Sequence, residues 1–322
     1  AKAARHNLDK TIKDMIADIR SGFHELYHIR KAKQIALQNM ELVNHLRKVA
    51  ETERKENRGL LMDTLKAQSQ VGQLRYDLLL LEDLEQTEIV RLNRFLNRSA
   101  DDAIGKLNPS PLAPVAYSIA EIYGMAEANQ EEILIAEAEE KKAEANLELS
   151  QYKYYPDFKL GLTYSAIGNP DVGMPPDEAG RDAFGIQAGM TIPIWFGKNQ
   201  GHVGRAKAEL ERARAVTSSR INQARADIRA VYFKLQNARR LIQLYENELI
   251  PQAAKAMELA ETWYTEGEST FSDFIETQSV WYNFHLALSR AKADYGINLA
   301  RLERLVGESV TERKKKQAEA EP

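Results

Sequence analysis

One short stretch of the chain has the residue types and spacing of a metal site: residues 24–28 read His-Glu-Leu-Tyr-His. This is the H-E-x-x-H pattern, in which two histidines on one helix face bind zinc and the glutamate acts as a general base. Zinc catalysis also requires a third protein ligand and an open coordination position. No second ligand motif follows in the sequence. We therefore interpret His24, Glu25 and His28 as part of a helix surface that faces solvent or a groove, capable at most of weak adventitious metal binding.

The composition excludes several further classes of function. The net charge of -3 over 322 residues gives no signal for nucleic-acid binding. Without cysteine the chain has no disulfides and no thiol chemistry. The sequence shows no nucleophile–base pair, phosphate-binding loop or metal-ligand set, so we expect no enzyme, no cofactor and no metal. No apolar run approaches the ~20 residues of a membrane helix, and no signal peptide opens the sequence.

Apolar residues at helical spacing predict a mainly α fold of very long antiparallel helical hairpins. Helices are expected over residues 1–57, 62–96, 115–153, 200–265 and 272–306. The fourth would be on the order of 100 Å long at about 1.5 Å per residue, with a kink at Pro251. Gly307 is expected to end the last one. The predicted segments are a first helical hairpin (1–98), a Pro-rich connector (99–114), a leading helix (115–156), a β-hairpin (157–197), a second helical hairpin (198–307) and a charged disordered tail (308–322).

Two stretches, residues 158–167 and 184–196, instead alternate between apolar and polar residues. Each has about the 9–11 residues of a membrane-spanning β-strand. The residues expected to face the membrane are Phe158, Leu160, Leu162, Tyr164, Phe184, Ile186, Met190, Ile192 and Ile194. The residues expected to form an aromatic girdle at one membrane interface are Tyr154, Tyr155, Trp195 and Phe196. A soluble, half-buried hairpin is the alternative, although an isolated two-stranded hairpin is only marginally stable in water.

The chain also contains an internal repeat of a long helix, a tip and a return helix. Residues 63–98 align with residues 273–308 at an offset of 210 without a gap, with seven identities in 36 positions. The aligned identities are Asp63/Asp273, Gln68/Gln278, Ser69/Ser279, Leu78/Leu288, Arg91/Arg301, Leu92/Leu302 and Arg94/Arg304. Upstream, at an offset of 209, the aligned identities are Asp18-Ile19-Arg20 with Asp227-Ile228-Arg229, Leu26 with Leu235 and Arg30 with Arg239.

The repeat bears on both the metal pattern and the length of the protein. His24, Glu25 and His28 align with Phe233, Lys234 and Asn237, so the second copy keeps the helix without the metal-binding residue types. In the first copy the counterpart of the β-hairpin would fall before residue 1. We therefore expect the sequence to be an N-terminally truncated form of a longer protein. The missing part would be roughly 90 residues or more, because it would hold one further hairpin and its leading helix.

Five stretches of the second half together resemble a known family. They are YYPDFKLGLTYSAIG, FGIQAGMTIPIWFGKNQGHV, LYENELIPQA, WYTEGESTFSDFIETQSVWYN and LARLERLVG. In order and spacing they are similar to the outer-membrane efflux proteins, the TolC-like channels of Gram-negative export systems. The resemblance covers residues 115–307, with residues 1–98 as the diverged first copy.

The resemblance implies a homotrimer in which each full protomer gives four strands to a shared twelve-stranded β-barrel and long helices to a periplasmic α-barrel. A membrane sheet tolerates no open edge, and long helices need neighbours to bury their apolar stripes, so closure with copies of the chain is physically sensible. The implied function is the exit duct of a tripartite efflux or type I secretion system. The implied partners are a periplasmic adaptor, indirectly an inner-membrane pump, and outer-membrane lipid, with most of the chain in the periplasm.

The resemblance also assigns roles to the helical tips. The tips of the family dock an adaptor, which here implies Asn57, Arg58, Gly59, Asp63, Gly267, Glu268, Ser269, Thr270 and Phe271. Thr270 or Ser272 is expected to cap the return helix. Asp273 and Glu276 stand where the family places acidic rings that narrow the closed tunnel, with two solvated acids as the plain alternative. For the whole protein, the alternatives are a soluble periplasmic adaptor or a coiled-coil scaffold, and the sequence does not identify the exported substrate.

Overall fold

The computed structural model describes residues 2–55, 61–109, 111–168, 173, 181–266 and 268–311. Its helices and strands follow the chain in one series. They are α1 (Lys2–Lys55), α2 (Leu61–Phe95), α3 (Ile119–Asn129), α4 (Glu131–Tyr152), β1 (Asp157–Ser165), β2 (Ala183–Thr191), α5 (Phe196–Leu244), a π-helical segment (Tyr245–Leu249), α6 (Ile250–Glu266) and α7 (Phe271–Val306). None of the described helices is long and apolar enough to cross a membrane.

The described helix ends carry the capping residues that their sequences suggest. Thr270 precedes α7 as its N-cap, and its hydroxyl accepts a hydrogen bond from the backbone N–H of Asp273. Asn97, just after α2, has φ 51°, and Gly307, just after α7, has φ 78°. Both conformations suit residues that tolerate the left-handed region. The ends of α2 and α7 therefore fall within one residue of those predicted.

The single helix predicted over residues 115–153 is wrong, because the structure has two helices there. Gln130 separates α3 from α4 with an extended backbone, φ −74° and ψ 123°. The next residue, Glu131, is only 2% exposed and forms ion pairs with Lys13 and Arg304. These contacts from distant helices place Glu131 in the interior, and the helix direction changes at the residue before it.

The long helix predicted over residues 200–265 is interrupted just before Pro251. The backbone N–H of Ile250 bonds to the carbonyl of Tyr245, which is the i→i−5 bond of a π turn. Proline lacks an N–H and cannot take part in the α-helical ladder. The interruption therefore lies next to the residue at which the sequence predicts a kink, and it takes the form of a π segment.

By its internal contacts the chain divides into two compact units. One consists of the described residues of Ala3–Leu134 and Ile221–Pro322, and the other of Ile135–Arg220. In the first unit, α1 and α7 run antiparallel, since Arg20 pairs with Glu303 whereas His28 lies against Ser289. The aligned repeat residues Leu92 and Leu302 are both buried, as are Leu26 and Leu235. These two pairs of equivalent positions thus share a structural role.

Four apolar clusters form the core among the described residues of the first unit. One joins α3 to α5 and α7, a second joins α1, α2 and α7, and a third lies where α1, α2, α6 and α7 meet near the helical tip. The fourth holds the connector, whose Ile104 and Leu107 pack against Leu26 and Leu92. The described part of the Pro-rich connector is therefore packed onto helices.

Polar contacts fix the connector to the same helices. The guanidinium of Arg30 donates to the carbonyls of Ile104 and Gly105 at 2.7 and 2.6 Å and to Glu85 at 2.8 Å. Further along, the hydroxyl of Tyr295 donates to the carbonyl of Ala113 at 2.8 Å. The connector is thus attached in its first half and near its C-terminal end.

A cluster of charges ties the first turns of α1 to the end of α7. Lys13 pairs with the buried Glu131 and donates to the carbonyl of Gly307 at 2.7 Å. Arg304, only 12% exposed at its side chain, pairs with Asp14 and lies 3.5 Å from Glu131. A buried carboxylate needs such partners, because an unpaired charge in the interior is costly. This cluster joins α1, α7 and the break between α3 and α4.

Candidate functional site

The first candidate site is the strand pair β1–β2 of the second unit. The strands pair antiparallel, with Phe158 opposite Met190, Leu160 opposite Ala188, Leu162 opposite Ile186 and Tyr164 opposite Phe184. Because side chains alternate along a strand, these four pairs share one face. The other face carries Lys159, Thr163 and Gln187 among glycines. The register therefore collects the alternating apolar residues of both strands on a single side.

That apolar face is exposed in the single chain. Phe158, Leu160, Leu162 and Tyr164 are 67–78% exposed, and Phe184, Ile186 and Met190 are 56–68% exposed. Soluble monomers rarely expose a contiguous apolar patch of this kind, and such patches mark membrane or protein contacts. We therefore expect this apolar face to contact lipid or another protein chain, because the described residues of its own chain do not cover it.

The second strand is shorter than its alternation predicts. β2 ends at Thr191, so Ile192 and Ile194 lie beyond the strand, although they remain 60% and 64% exposed. Pro193 explains the early end, because it has no N–H to donate to the ladder. The prediction of these two isoleucines as strand residues is wrong on this point. The loop between the strands, residues 166–182, is described only in part.

Aromatic residues surround the base of the strand pair, where α4 ends and α5 begins. Tyr155, Trp195 and Phe196 are 67–72% exposed, and Tyr154 is 39% exposed. Asn199 joins the two chain segments there, since its side chain donates to the carbonyl of Lys153 at 3.0 Å. Further along the same two helices, Arg214 pairs with Glu144 at 3.2 Å. Sequence reasoning did not single out Asn199, and its position just after the aromatic pair was the only signal.

The second candidate site is the tip between α6 and α7. The backbone N–H groups of Glu268 and Ser269 both bond to the carbonyl of Trp263, at 2.8 and 3.2 Å, which closes α6. Glu268 and Thr270 are exposed. Phe271, predicted as a docking residue, is only 1% exposed and packs with Tyr264, their ring centroids 5.8 Å apart. Its side chain therefore supports the tip from inside and is not on its surface.

The corresponding first tip is described only in part. Asn57, Arg58 and Gly59 lie outside the described residues, as does Gly267 of the second tip. Asp63 is in the first turn of α2, the position that Asp273 occupies in α7. The side chain of Lys66 on α2 donates to the hydroxyl of Ser272 at 2.5 Å, so the two return helices are joined next to the tip.

The two candidate ring residues, Asp273 and Glu276, are both exposed on the first turns of α7. The Asp273 carboxylate accepts hydrogen bonds from the hydroxyl and the backbone N–H of Thr270, at 2.7 and 3.1 Å. These bonds hold the pKa of Asp273 below its ordinary value, and the nearby Lys66 acts in the same direction. Asp273 is therefore a fixed negative charge that also closes the helix cap.

The histidines and the glutamate of the opening pattern serve the contact between α1 and α7. Both carboxylate oxygens of Glu25 accept hydrogen bonds from one guanidinium nitrogen of Arg290, Nη1, at 2.8 and 2.9 Å. His28 Nδ1 lies 2.9 Å from the hydroxyl of Ser289. The ring of His24 covers Gly296, where an added Cβ would meet it at 2.4 Å. Within the described residues no three His, Asp or Glu side chains are grouped as a metal site. The pattern is accounted for by helix packing.

Comparison with known proteins identifies the family to which this chain belongs. The sequence model of the family described as "Outer membrane efflux protein" matches residues 122–308, more than half of the chain. The chain belongs to this family. The family and the fold both indicate that the chain is an efflux channel of the outer membrane and not an enzyme. The soluble adaptor or scaffold alternative is not favoured.

Solved structures of outer-membrane channels are similar to the chain in fold. The outer membrane protein VceC of Vibrio cholerae matches with a TM-score of 0.79 and 19% identity, covering 96% of this chain and 73% of that one. The open-state channel MtrE of Neisseria gonorrhoeae matches with a TM-score of 0.80 and 16% identity, covering 96% and 69%. The channel OprN matches with a TM-score of 0.82 and 17% identity, covering 97% and 70%. No curated protein sequence matches the chain.

Proposed function

We propose that three copies of this chain assemble into an exit duct that conducts substrates from a periplasmic adaptor, fed by an inner-membrane pump, through the outer membrane. The strand pair crosses the membrane in contact with lipid, and most of the helical part lies in the periplasm. The observation that carries the proposal is the strand register, which collects apolar side chains on one exposed face.

The strand pair supports assembly with further strands. Two strands leave unpaired backbone groups on both outer edges, and in a bilayer those groups must be bonded within a closed barrel. The nine residues of each strand match the length of a tilted membrane strand. The glycine-rich face opposite the apolar one would then line the aqueous interior.

Exposed apolar side chains on the helices of the first unit support contacts between copies. On α2, Tyr76 and Leu79 are 62% and 61% exposed, and on the other hairpin Phe233 and Leu259 are 64% and 51% exposed. Long helices with exposed apolar stripes bury them against neighbouring helices. A ring of copies brings the stripe of α2 on one protomer to the α5 and α6 stripe of the next, which closes a trimer by repetition.

The helical tips are the proposed adaptor-docking surface. Glu268 and Thr270 present exposed side chains there, whereas Phe271 supports the tip from its buried position. Asp63 on α2 and the tip residues outside the described range complete the surface in this proposal. Asp273 and Glu276, repeated three times, would focus a negative field at the tunnel entrance and favour cations.

The proposal is tested by placing the same charge on the two faces of one strand. Ile186 and Gln187 are neighbours on β2 and point to opposite faces. An arginine on a lipid-facing strand position costs about 2–4 kcal/mol at the bilayer centre, whereas interior positions tolerate charge. We expect Ile186→Arg to be lost from the outer-membrane fraction as an assembled trimer and Gln187→Arg to be recovered there. Equal recovery of the two variants would overturn the proposed membrane face.

A further inference from the structure

The seam between α1 and α7 contains a buried polar layer whose position follows from its register. The contact of His28 with Ser289, at 2.9 Å, fixes which residues of the two antiparallel helices face each other. Eleven residues make about three helical turns, so positions eleven residues further along each helix face each other again. Asn39 lies eleven residues after His28, and Gln278 lies eleven residues before Ser289. The register therefore places the two amides at one level of the seam.

The apolar clusters on either side agree with this level. Seven residues further towards the tip, the same register pairs Leu46 with Phe271, and both belong to the tip cluster. Four residues in the other direction it pairs Ile35 with Tyr282, and both belong to the cluster of α1, α2 and α7. The amide layer thus lies between two apolar layers of a continuous seam.

The two amides are buried, and no described residue forms a hydrogen bond with either of them. Asn39 is 1% exposed and Gln278 is 0% exposed. Neither the amide oxygen nor the amide nitrogen of either side chain has a hydrogen-bond partner among the described residues. A buried polar group without a partner loses its bonds to water and gains nothing in return. Packing at this level is therefore weaker than in the apolar layers on either side.

We propose that Asn39 and Gln278 are a conformational device that makes the tip section of the α1–α7 seam easy to open. The section on the tip side of this layer can move, while the His28–Ser289 contact and the Glu25–Arg290 ion pair hold the seam beyond it. The gating part of this inference rests on the proposed channel function. In that function, the device sets how readily the tip of the duct moves between closed and open states.

The experiment replaces both amides by apolar side chains of similar shape, Asn39→Leu and Gln278→Met, in the full chain. Amide hydrogen exchange is measured for peptides of the tip section, residues 257–282, and for reference peptides of residues 289–306. The matched control is Gln68→Met, since Gln68 aligns with Gln278 in the repeat but is exposed on α2. Single-channel recordings of the detergent-extracted protein in planar bilayers follow gating.

We expect the double variant to slow exchange in the tip section by roughly tenfold or more, with the reference peptides and the control variant unchanged. We also expect less frequent opening in the recordings. Unchanged exchange in the tip section, or loss of folded protein, overturns the proposal, because either result means that the amides do not weaken the seam. Slowed exchange with unchanged gating overturns the gating role. If the wild-type protein never conducts in the bilayer, the proposed channel function is refuted. The amide hydrogen exchange measurement still tests the weakness of the α1–α7 seam in that case.

Discussion

Among the described glycines, Gly307 is the one at which an added methyl group would lie nearest to another part of the backbone. Its φ of 78° lies in the left-handed region, where a non-glycine residue costs about 1–2 kcal/mol. A Cβ at Gly307 would also lie 2.2 Å from the carbonyl oxygen of Asn129 and 2.8 Å from its carbonyl carbon. Ordinary van der Waals contacts begin at 3.4 Å, so the added atom overlaps with backbone.

The neighbouring backbone has little freedom to move away. Asn129 is the last residue of α3, and the N–H of Gln130 bonds to the carbonyl of Ala126 at 2.9 Å. Gly307 itself accepts a hydrogen bond from Lys13. Overpacking of this kind costs about 1–3 kcal/mol. Together with the backbone cost, we expect Gly307→Ala to lower the free energy of unfolding by about 2–5 kcal/mol.

Two further variants separate the causes of this loss. Gly124→Ala, in the interior of the adjacent α3 and with nothing near its Cβ position, should instead stabilise the protein by about 0.5–1 kcal/mol. Gly307→Asn tolerates the left-handed backbone but keeps the overlap with Asn129, so it should remain strongly destabilised. Guanidinium unfolding of the detergent-solubilised protein, followed by far-UV circular dichroism, gives the three midpoints. The steric reasoning fails if Gly307→Asn recovers the wild-type midpoint.

Two other predictions concern charge. Burial lowers the pKa of His24 and of His28, assisted by Arg20 for His24 and by Arg290 for His28, against the opposing effect of Glu25 and Asp294 on His28. The folded state therefore favours the neutral rings, and as the pH falls the unfolded chain binds protons before the folded one does. The free energy of unfolding should then decline as the pH falls below ~6.5. The unfolding midpoint should change more between neutral and mildly acidic pH in the wild type than in the double variant His24→Gln/His28→Gln. An equal change of the midpoint in the two proteins would contradict this reasoning. Asp273→Asn should weaken the cation preference of the channel conductance, with Glu276→Gln as a second test that leaves the helix cap intact. Unchanged ion selectivity in both variants would contradict an acidic ring.

The sequence predicts the long helices well because their apolar spacing and their end residues are local signals. The ends of α2 and α7 are marked by Asn97 and Gly307, and the cap of α7 by Thr270. The apolar alternation also predicts which strand residues share a face, although β2 ends before Pro193 and is therefore shorter than the alternation indicates.

The features that the sequence does not predict depend on residues far apart in the chain. The break at Gln130 lies in an Ala- and Glu-rich run that consists mostly of good helix formers. What places Glu131 in the interior is Lys13 and Arg304, which are 118 and 173 residues away. The partner of Glu25, Arg290, is 265 residues away. Propensity and spacing carry no information on such contacts, so the roles of these residues needed the structure.

The π segment before Pro251 records a difference between the two copies of the repeat. The alignment offset is 209 at Arg239 and 210 at Asp273, so the second copy holds one additional residue between them. Every described residue from Arg239 to Glu266 is α-helical except Tyr245–Leu249.

A π turn is the form in which a helix absorbs one inserted residue while keeping its backbone bonds. We therefore infer that the ancestral unit was duplicated and that a single-residue insertion followed in one copy, within the helix rather than at its tip. One extra residue would turn a regular α-helix beyond it by about 100°, and the wider π turn takes up most of that rotation. The aligned part of α1 is α-helical throughout. Beyond the π segment Ala253 and Ala260 are buried, as are Val43 and Ala50, the residues 210 positions before them. Two hairpins of common origin therefore keep the same buried face on both sides of the extra residue.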